Sequence, residues 1–324
     1  MKQFLKVALT LAAIIACTAS FAARDKRKTL TGSGNIVSKV IEISNDYTTL
    51  LAMTGVEVVM EESEGNMATI AADDNVIKWV VCEVKGNLLT VTIRKPDCTS
   101  YCNAHVTVNI PKNEKLSRIE SRSAASVKIL PELHADERIF IRANSGAKVV
   151  LSRTEAQSIG IDATSAATVQ GSFRTSILTA KATSAAEIKA SVIAESVSTI
   201  ADSAGEIELV GVATKISAQT SSSGEVLCSR LSTQDAAGSA TSSGKITFDC
   251  YDYLFARATS GGDIISTNST AKRATAEASS SGTVKLNCSG TLNAKATSGG
   301  DIRYTGGCTL ANSQTASGGS IKKF

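Results

Sequence analysis

Apolar and polar residues alternate along most of this chain, and beyond residue 119 the alternation returns with a fixed period. The period is marked by a Gly or Ala at 125, 147, 167, 186, 205, 224, 244, 262, 282, 300 and 319, in steps of 18 to 22 residues. Counted from that position, +2 is Ile or Val in every copy, from Val127 to Ile321. Position −8 is usually aliphatic, as in Ile159, Leu178 and Val197, and +4 is often apolar, as in Leu151, Leu209 and Phe248. Positions −6 and −4 are mostly Ala or Thr, as in Ala180 and Ala182, with polar residues such as Lys181 and Arg257 between them. Period-two alternation of this kind predicts strands with one buried face. Each copy therefore predicts one strand over about −8 to −3 and another over about +2 to +5.

Between those strands every copy reads Ser-small-(Gly/Ala)-x-(Ile/Val), from Ser123-Ala-Ala-Ser-Val127 to Ser317-Gly-Gly-Ser-Ile321. This element is expected to turn the corner, with Gly supplying positive φ and small neighbours letting corners stack. A unit of about 20 residues cannot bury a face alone, so the copies must stack as rungs of a solenoid. The prediction is an all-β rod of about 11 rungs over 119–324, paired in parallel at roughly 4.8 Å per rung. Variable residues close each coil.

Residues 29–118 carry longer alternating strands at Val56–Met60, Leu88–Ile93 and Val106–Ile110, and Lys85-Gly-Asn87 reads as a hairpin turn. Asp73–Val81 reads as a short helix with Asp74 near its start and the single tryptophan, Trp79, inside it. This region is expected to cap the exposed end strand of the rod.

Residues 1–22 read as a signal peptide: Lys2 and Lys6, an apolar stretch from Val7 to Ala16, and small residues in Ser20-Phe-Ala22. Ile14-Ile-Ala-Cys17 competes as a lipobox, which would make Cys17 a lipidated N-terminus. Residues 23–28 form a basic leader. No later stretch is apolar enough to span a bilayer as a helix.

Aromatic residues make up 4% of the chain and the net charge is +4, which together argue against a nucleic-acid partner. Of eight cysteines, Cys98 and Cys102 form the close pair outside the repeats, and an export route makes a local disulfide there plausible. Cys228, Cys250, Cys288 and Cys308 read as small core residues.

Gly32-Ser-Gly-Asn35, the Thr49-to-Met60 stretch around Gly55, Thr69-Ile-Ala-Ala-Asp-Asp-Asn75, Asn87-Leu-Leu-Thr-Val91, Val106-Thr-Val-Asn-Ile-Pro111 and the Ser-Gly repeats follow in a defined order. Together they resemble the exported "putative auto-transporter adhesin, head GIN domain" proteins over roughly residues 30–324. The resemblance implies a single-stranded parallel β-helix in the envelope of a Gram-negative bacterium, and it brings no catalytic residues with it.

Position +1 holds the sharpest candidate chemistry. Glu187, Glu206 and Glu225 occupy it in three consecutive rungs, followed by Lys245 and Asp263. In register they would stack about 5 Å apart, a column suited to Ca2+ or to an acid pair. The plainer reading is an exposed corner that accepts any polar residue, since Ser, Lys and Thr also occur there. Neither His105 nor His134 has ligand-spaced partners, and no serine sits in a nucleophile elbow. No catalytic, cofactor or metal residue is therefore assigned. The leading functional expectation is a non-enzymatic envelope rod that binds a glycan or an envelope protein. The alternative is a polysaccharide lyase or hydrolase of the pectate-lyase-like class, which needs carboxylates and Arg or Lys converging on one face.

Overall fold

The computed structural model describes residues 29–96, 98 and 100–324. The expected signal peptide, the leader and Cys17 lie outside the described residues. The first nine strands are β1 (Thr29–Thr31), β2 (Ile36–Glu42), β3 (Thr49–Met53), β4 (Glu57–Met60), β5 (Met67–Asp73), β6 (Val80–Lys85), β7 (Leu88–Ile93), β8 (Ser100–Cys102) and β9 (Val106–Ile110). The rod continues with β10 (Arg118–Arg122), β11 (Ser126–Ile129), β12 (Leu133–Asn144), β13 (Lys148–Thr164), β14 (Thr168–Thr183), β15 (Glu187–Asp202) and β16 (Glu206–Thr220). It ends with β17 (Glu225–Ala240), β18 (Lys245–Thr259), β19 (Asp263–Ser279), β20 (Thr283–Thr297), β21 (Asp301–Thr305), β22 (Thr309–Ala316) and β23 (Ser320–Lys323). Stacked parallel coils make a β-solenoid of about 11 turns, as the period predicts.

The +2 residues form one continuous file. Val127, Val149, Val169, Ile188, Ile207, Val226, Ile246, Ile264, Val284 and Ile302 pair in register from rung to rung. All ten are fully buried. Each contributes about 1.5–3 kcal/mol by leaving water. The file runs on into the N-terminal region, where Val127 faces Val58 and Val58 faces Val108. The rod thus begins inside the segment expected to cap it, with which it is continuous as expected. Thr54 and Gly55 both have positive φ and lead into Val56, Glu57 and Val58, so they form a further corner. Thr in place of Ser and Val in place of Gly hid it.

The coil differs from the two-strand expectation. Each of β13 to β20 is one strand of 15 to 17 residues, so the segment that closes the coil is itself paired to its neighbours. Length differences between rungs are absorbed there as register shifts, for example between Val150 and Arg153 and between Cys228 and Ser232. The third segment also buries its own apolar side chains, among them Phe173, Val192 and Leu231.

The corners also need a correction. Positive φ falls on the Ser and the small residue after it, as at Ser184 (55°) and Ala185 (59°), and not on the Gly at position 0. The Gly205 N–H donates to the Asp202 carbonyl at 2.9 Å, which closes the turn. Two consecutive residues of positive φ inside such a bond define a type I′ turn. Each left-handed non-Gly residue costs about 1–3 kcal/mol. Bonds between corners hold them in place: Ala185 N–H donates to Ser203 O at 3.0 Å, and Ala204 N–H to Ser222 O at 3.1 Å.

Position 0 is Gly for a different reason, close approach. A Cβ on Gly262 would fall on the carbonyl oxygen of Ala240 one rung earlier. Gly262→Ala is therefore expected to destabilise the rod by about 1–3 kcal/mol, as overpacking does. Unchanged thermal melting would contradict the close approach.

The N-terminal end is closed by antiparallel pairs: β2 with β5, β5 with β9, and β6 with β7. Lys85 pairs with Leu88 across Gly86 (φ 60°) and Asn87, the expected hairpin. Where a helix was expected over Asp73–Val81, only a 3₁₀ turn forms, Ile77–Trp79. Asp73 ends β5 and Val80 begins β6, so strand pairing takes most of that segment.

The motif Gly32-Ser-Gly-Asn35 is held by Asp73-Asp-Asn75. Gly34 N–H and His105 N–H donate to the two oxygens of Asp73 at 2.6 and 2.7 Å. Ser33 Oγ and Asn35 Nδ2 donate to Asp74 at 2.6 and 2.9 Å, and Asn75 Nδ2 donates to the Thr31 carbonyl at 2.8 Å. A Cβ on Gly32 would lie 2.5 Å from Asp73 Oδ2, so the arm can approach the carboxylate only as glycine.

Candidate functional site

Every rung has a second bend that its burial pattern reveals. Gln157–Ser158, Ser176–Ile177, Glu195–Ser196, Thr214–Lys215 and Gln234–Asp235 are consecutive pairs that both turn away from the core. They immediately precede the buried column Ile159, Leu178, Val197, Ile216 and Ala236. Two outward residues in a row break the period-two alternation and redirect the strand. In β12 the pairing shifts between Ala135 and Arg138, leaving Asp136 and Glu137 as a bulge. The bends stack along the rod, and a groove follows the residues that lead up to them on β12 to β15.

The groove is a cavity of about 520 Å³ lined by His134, Asp136, Glu155, Gln157, Arg174, Ser176, Ile193 and Glu195, among others. His134, Glu155, Arg174 and Ile193 are register neighbours on β12, β13, β14 and β15. Glu155 is their electrostatic centre. Its carboxylate lies 2.5 Å from Arg153 Nη2, 3.1 Å from Arg174 Nε and 3.7 Å from His134 Nδ1. Arg153 also reaches Glu132 at 3.9 Å. The hydrogen bond from Arg153 holds the Glu155 carboxyl below the usual carboxylate range, against the opposing pull of burial, with Arg174 and His134 adding to the effect. A carboxylate so held stays ionised and is a poor proton donor. Pairing with Glu155 uses only part of the five N–H donors on each guanidinium.

A second, less polar cavity of about 330 Å³ lies on the other side of the bend, with Ser196, Lys215, Ile216, Asp235, Ala236 and Tyr253 on its walls. The Tyr253 Oη donates to Thr275 Oγ1 at 3.3 Å, and the Arg273 guanidinium stands 5.7 Å from the ring centre.

The glutamate column expected at position +1 does form. Glu187 pairs with Glu206, and Glu206 with Glu225, in register. Lysines stand at both ends: Lys189 Nζ is 2.5 Å from Glu187, and Lys245 Nζ is 3.7 Å from Glu225. Among the described residues, no three of His, Cys, Asp and Glu converge as metal ligands would.

His105 precedes β9, with its ring exposed and Nδ1 3.7 Å from Asp73. Cys98 Sγ lies 3.1 Å from the Ser100 carbonyl, and Cys102 is exposed at the end of β8. Cys228, Cys250 and Cys288 are buried as expected, and Cys308 is half-buried. Burial pushes the Cys250 thiol up to about 11, which makes it unreactive at neutral pH.

The groove was not foreseen. His134, Glu155 and Arg174 belong to three different rungs, and each sits among ordinary polar surface residues in the sequence. The signals that could have exposed them were the 22-residue first step and the charged run Leu133-His-Ala-Asp-Glu-Arg138.

A family model described as "Putative auto-transporter adhesin, head GIN domain" matches residues 46–270. No curated protein matches the chain. Among solved structures, a "putative lipid binding protein" of Parabacteroides distasonis is 18% identical, covering 92% of this chain and 100% of that one, with a TM-score of 0.48. A "putative adhesin" of Parabacteroides merdae is 17% identical, covering 91% and 99%, with a TM-score of 0.47. A "putative adhesin" of Parabacteroides distasonis is 19% identical, covering 92% and 100%, with a TM-score of 0.47.

Proposed function

The chain belongs to the auto-transporter adhesin, head GIN domain family, and from that premise we propose that it is a non-enzymatic exported rod. It binds a glycan or an envelope protein through the groove around Glu155. The observation that carries this reading is the groove's construction. Charged side chains from successive rungs converge beside exposed Ile193 and Val212. They stand on strands whose main chain is locked into the rung ladder. A rigid, mixed polar and apolar concavity suits recognition. The family and the signal peptide read in residues 1–22 support export to the envelope. Among the described residues no helix is long and apolar enough to cross a membrane.

The same convergence of carboxylates and guanidinium groups is what a polysaccharide lyase or hydrolase would need. Against it stands the state of Glu155, kept ionised by Arg153 and Arg174 and so unsuited to general-acid work.

The mature protein, Arg174→Glu in the groove and Arg257→Glu on another wall can be compared by glycan array and by binding to purified envelope proteins. Arg174→Glu is expected to weaken binding at least about ten-fold, or about 1.4 kcal/mol, while Arg257→Glu binds as the unmodified chain does. Equal binding by all three, or none by any, would remove the groove as the binding surface. Unsaturated product from incubation with polyuronates would favour the enzymatic alternative.

A further inference from the structure

We infer that the second cavity is a separate site for a single sugar ring, stacked on Tyr253 and held by Asp235 and Lys215. The inference goes beyond the groove around Glu155 and does not depend on it. Ser196, Lys215, Asp235 and Tyr253 are register neighbours on β15, β16, β17 and β18, and all line the cavity. Two residues further along the strands, Ser198, Ser217 and Ala237 form a second file in register and also line it. Positions two apart on a strand share a face, so both files stand on the outer surface. The second file is made of small side chains, and the first ends at an aromatic ring. A hollow is left against that ring.

The ring is held from its far side. Tyr253 Oη donates to Thr275 Oγ1 at 3.3 Å, and the Arg273 guanidinium stands 5.7 Å from the ring centre. Both partners belong to β19, the next rung, and neither lines the cavity. The ring therefore leans away from Asp235, with one face toward Arg273 and the other toward the hollow. Lys215 and Asp235 are neighbours across one rung spacing, and among the described residues neither forms an ion pair. Their charged groups are left for a ligand.

This chemistry selects the occupant. About 330 Å³ is at the small end of ligand pockets, which span about 300–1,000 Å³, so the hollow takes one ring and not a chain of them. An acyl chain would strip water from the Asp235 carboxylate and the Lys215 ammonium and return no hydrogen bond. An extended peptide draws its affinity from a free strand edge. Around this cavity β15 to β18 are paired on both sides. A pyranose satisfies both halves of the site. Its C–H face packs on the open face of Tyr253, while its hydroxyls donate to Asp235 and accept from Lys215.

The test uses the mature chain and the methyl glycosides of glucose, galactose, mannose and N-acetylglucosamine, with decanoate as an acyl probe, all titrated by saturation-transfer NMR. At least one glycoside is expected to bind with a Kd on the order of 1 mM, its ring C–H protons taking the strongest saturation. Tyr253→Ala is expected to weaken that binding about ten-fold, and Asp235→Asn about three- to ten-fold. Tyr253→Phe keeps the ring and is expected to stay within about two-fold of the unmodified chain. Arg174→Glu, in the other cavity, is expected to change nothing, and thermal melts confirm that every variant is folded. Absence of binding by every glycoside overturns the inference, as does unchanged binding in Tyr253→Ala or in Asp235→Asn. Decanoate binding more tightly than any glycoside, and lost in Tyr253→Ala, overturns it in favour of an acyl site. Loss in Arg174→Glu places the sugar in the groove, which overturns the separate site while supporting the proposed function.

Discussion

Ile207→Asp is expected to abolish the folded state of the central rungs. Ile207 is fully buried in the +2 file, in register with Ile188 on one side and Val226 on the other. Losing the aliphatic side chain removes about 1.5–3 kcal/mol of burial. The carboxylate then enters a file of Ile and Val, and an uncompensated buried charge costs several kcal/mol more. The sum rivals the total stability of an ordinary domain, about 5–15 kcal/mol. In a stacked array each rung supports only its neighbours, so the damage is expected to start at β16 and spread outward from it. Thermal melting and limited proteolysis read this directly, with new cleavage around residues 206–220. Ile207→Val, expected to cost only about 0.5–1.5 kcal/mol, separates charge from volume. A variant Ile207→Asp that melts with the wild type would mean the file does not face inward.

That file was the most legible feature of the chain, because burial of a β-branched residue at one fixed position leaves an unbroken Ile/Val column. The hairpin at Gly86–Asn87 and strands β7 and β9 were legible for similar reasons of alternation and turn chemistry. Features that depend on what lies one rung away were not legible. Glycine at Gly262 was read as a conformational need, whereas the actual cause is the carbonyl of Ala240, 22 residues earlier in the chain. Gly238 is a similar case: a Cβ there would lie 2.6 Å from the Phe248 ring, so a large residue at +4 is matched by the absence of one at −6. The groove stayed hidden because it adjoins a break in alternation filled by Gln, Ser, Ile, Glu, Thr, Lys or Asp, with no residue type shared by every rung. The contact between Gly32–Asn35 and Asp73–Asn75 was visible as two motifs and invisible as one clasp.

Corner strain and groove geometry are linked through the same ladder. Ser at the first left-handed position repeats in all eleven copies, although Gly would adopt that conformation at lower cost. The bonds between corners make the turn conformation a property of the stack. A rung holds its strained corner with the help of its neighbours. The second bend inherits this rigidity, since it lies on the same strand between two fixed corners. His134, Glu155 and Arg174 therefore keep their spacing without a supporting shell of buried polar groups.

At the other end of the molecule, Asp73→Asn is expected to loosen the N-terminal arm and to weaken its dependence on acid. Asp73 is fully buried and accepts N–H bonds from Gly34 and His105, one on each oxygen. Burial alone would raise its pKa. The two backbone donors and the imidazole of His105 outweigh burial and hold the carboxyl below its ordinary value. A carboxyl depressed in the folded state stabilises fully above its unfolded pKa, about 3.9. It loses that contribution as the pH falls through the folded value. The wild-type arm is thus expected to stay docked at neutral pH and to loosen only in strong acid, below the usual carboxylate range. In Asp73→Asn the amide nitrogen faces a backbone N–H that has lost its acceptor, at a cost of about 1–3 kcal/mol. Hydrogen exchange should show faster amides at Gly34 and His105 at neutral pH, with little change from β14 to β20, because coupling in the stack is local. Melting of the variant should also depend less steeply on acid than that of the wild type, with Asp74, held low by Ser33 and Asn35, among the carboxyls that supply what remains. Unchanged protection at Gly34 and His105 would mean that the arm is held by Asp74 and Asn75 without the buried carboxylate.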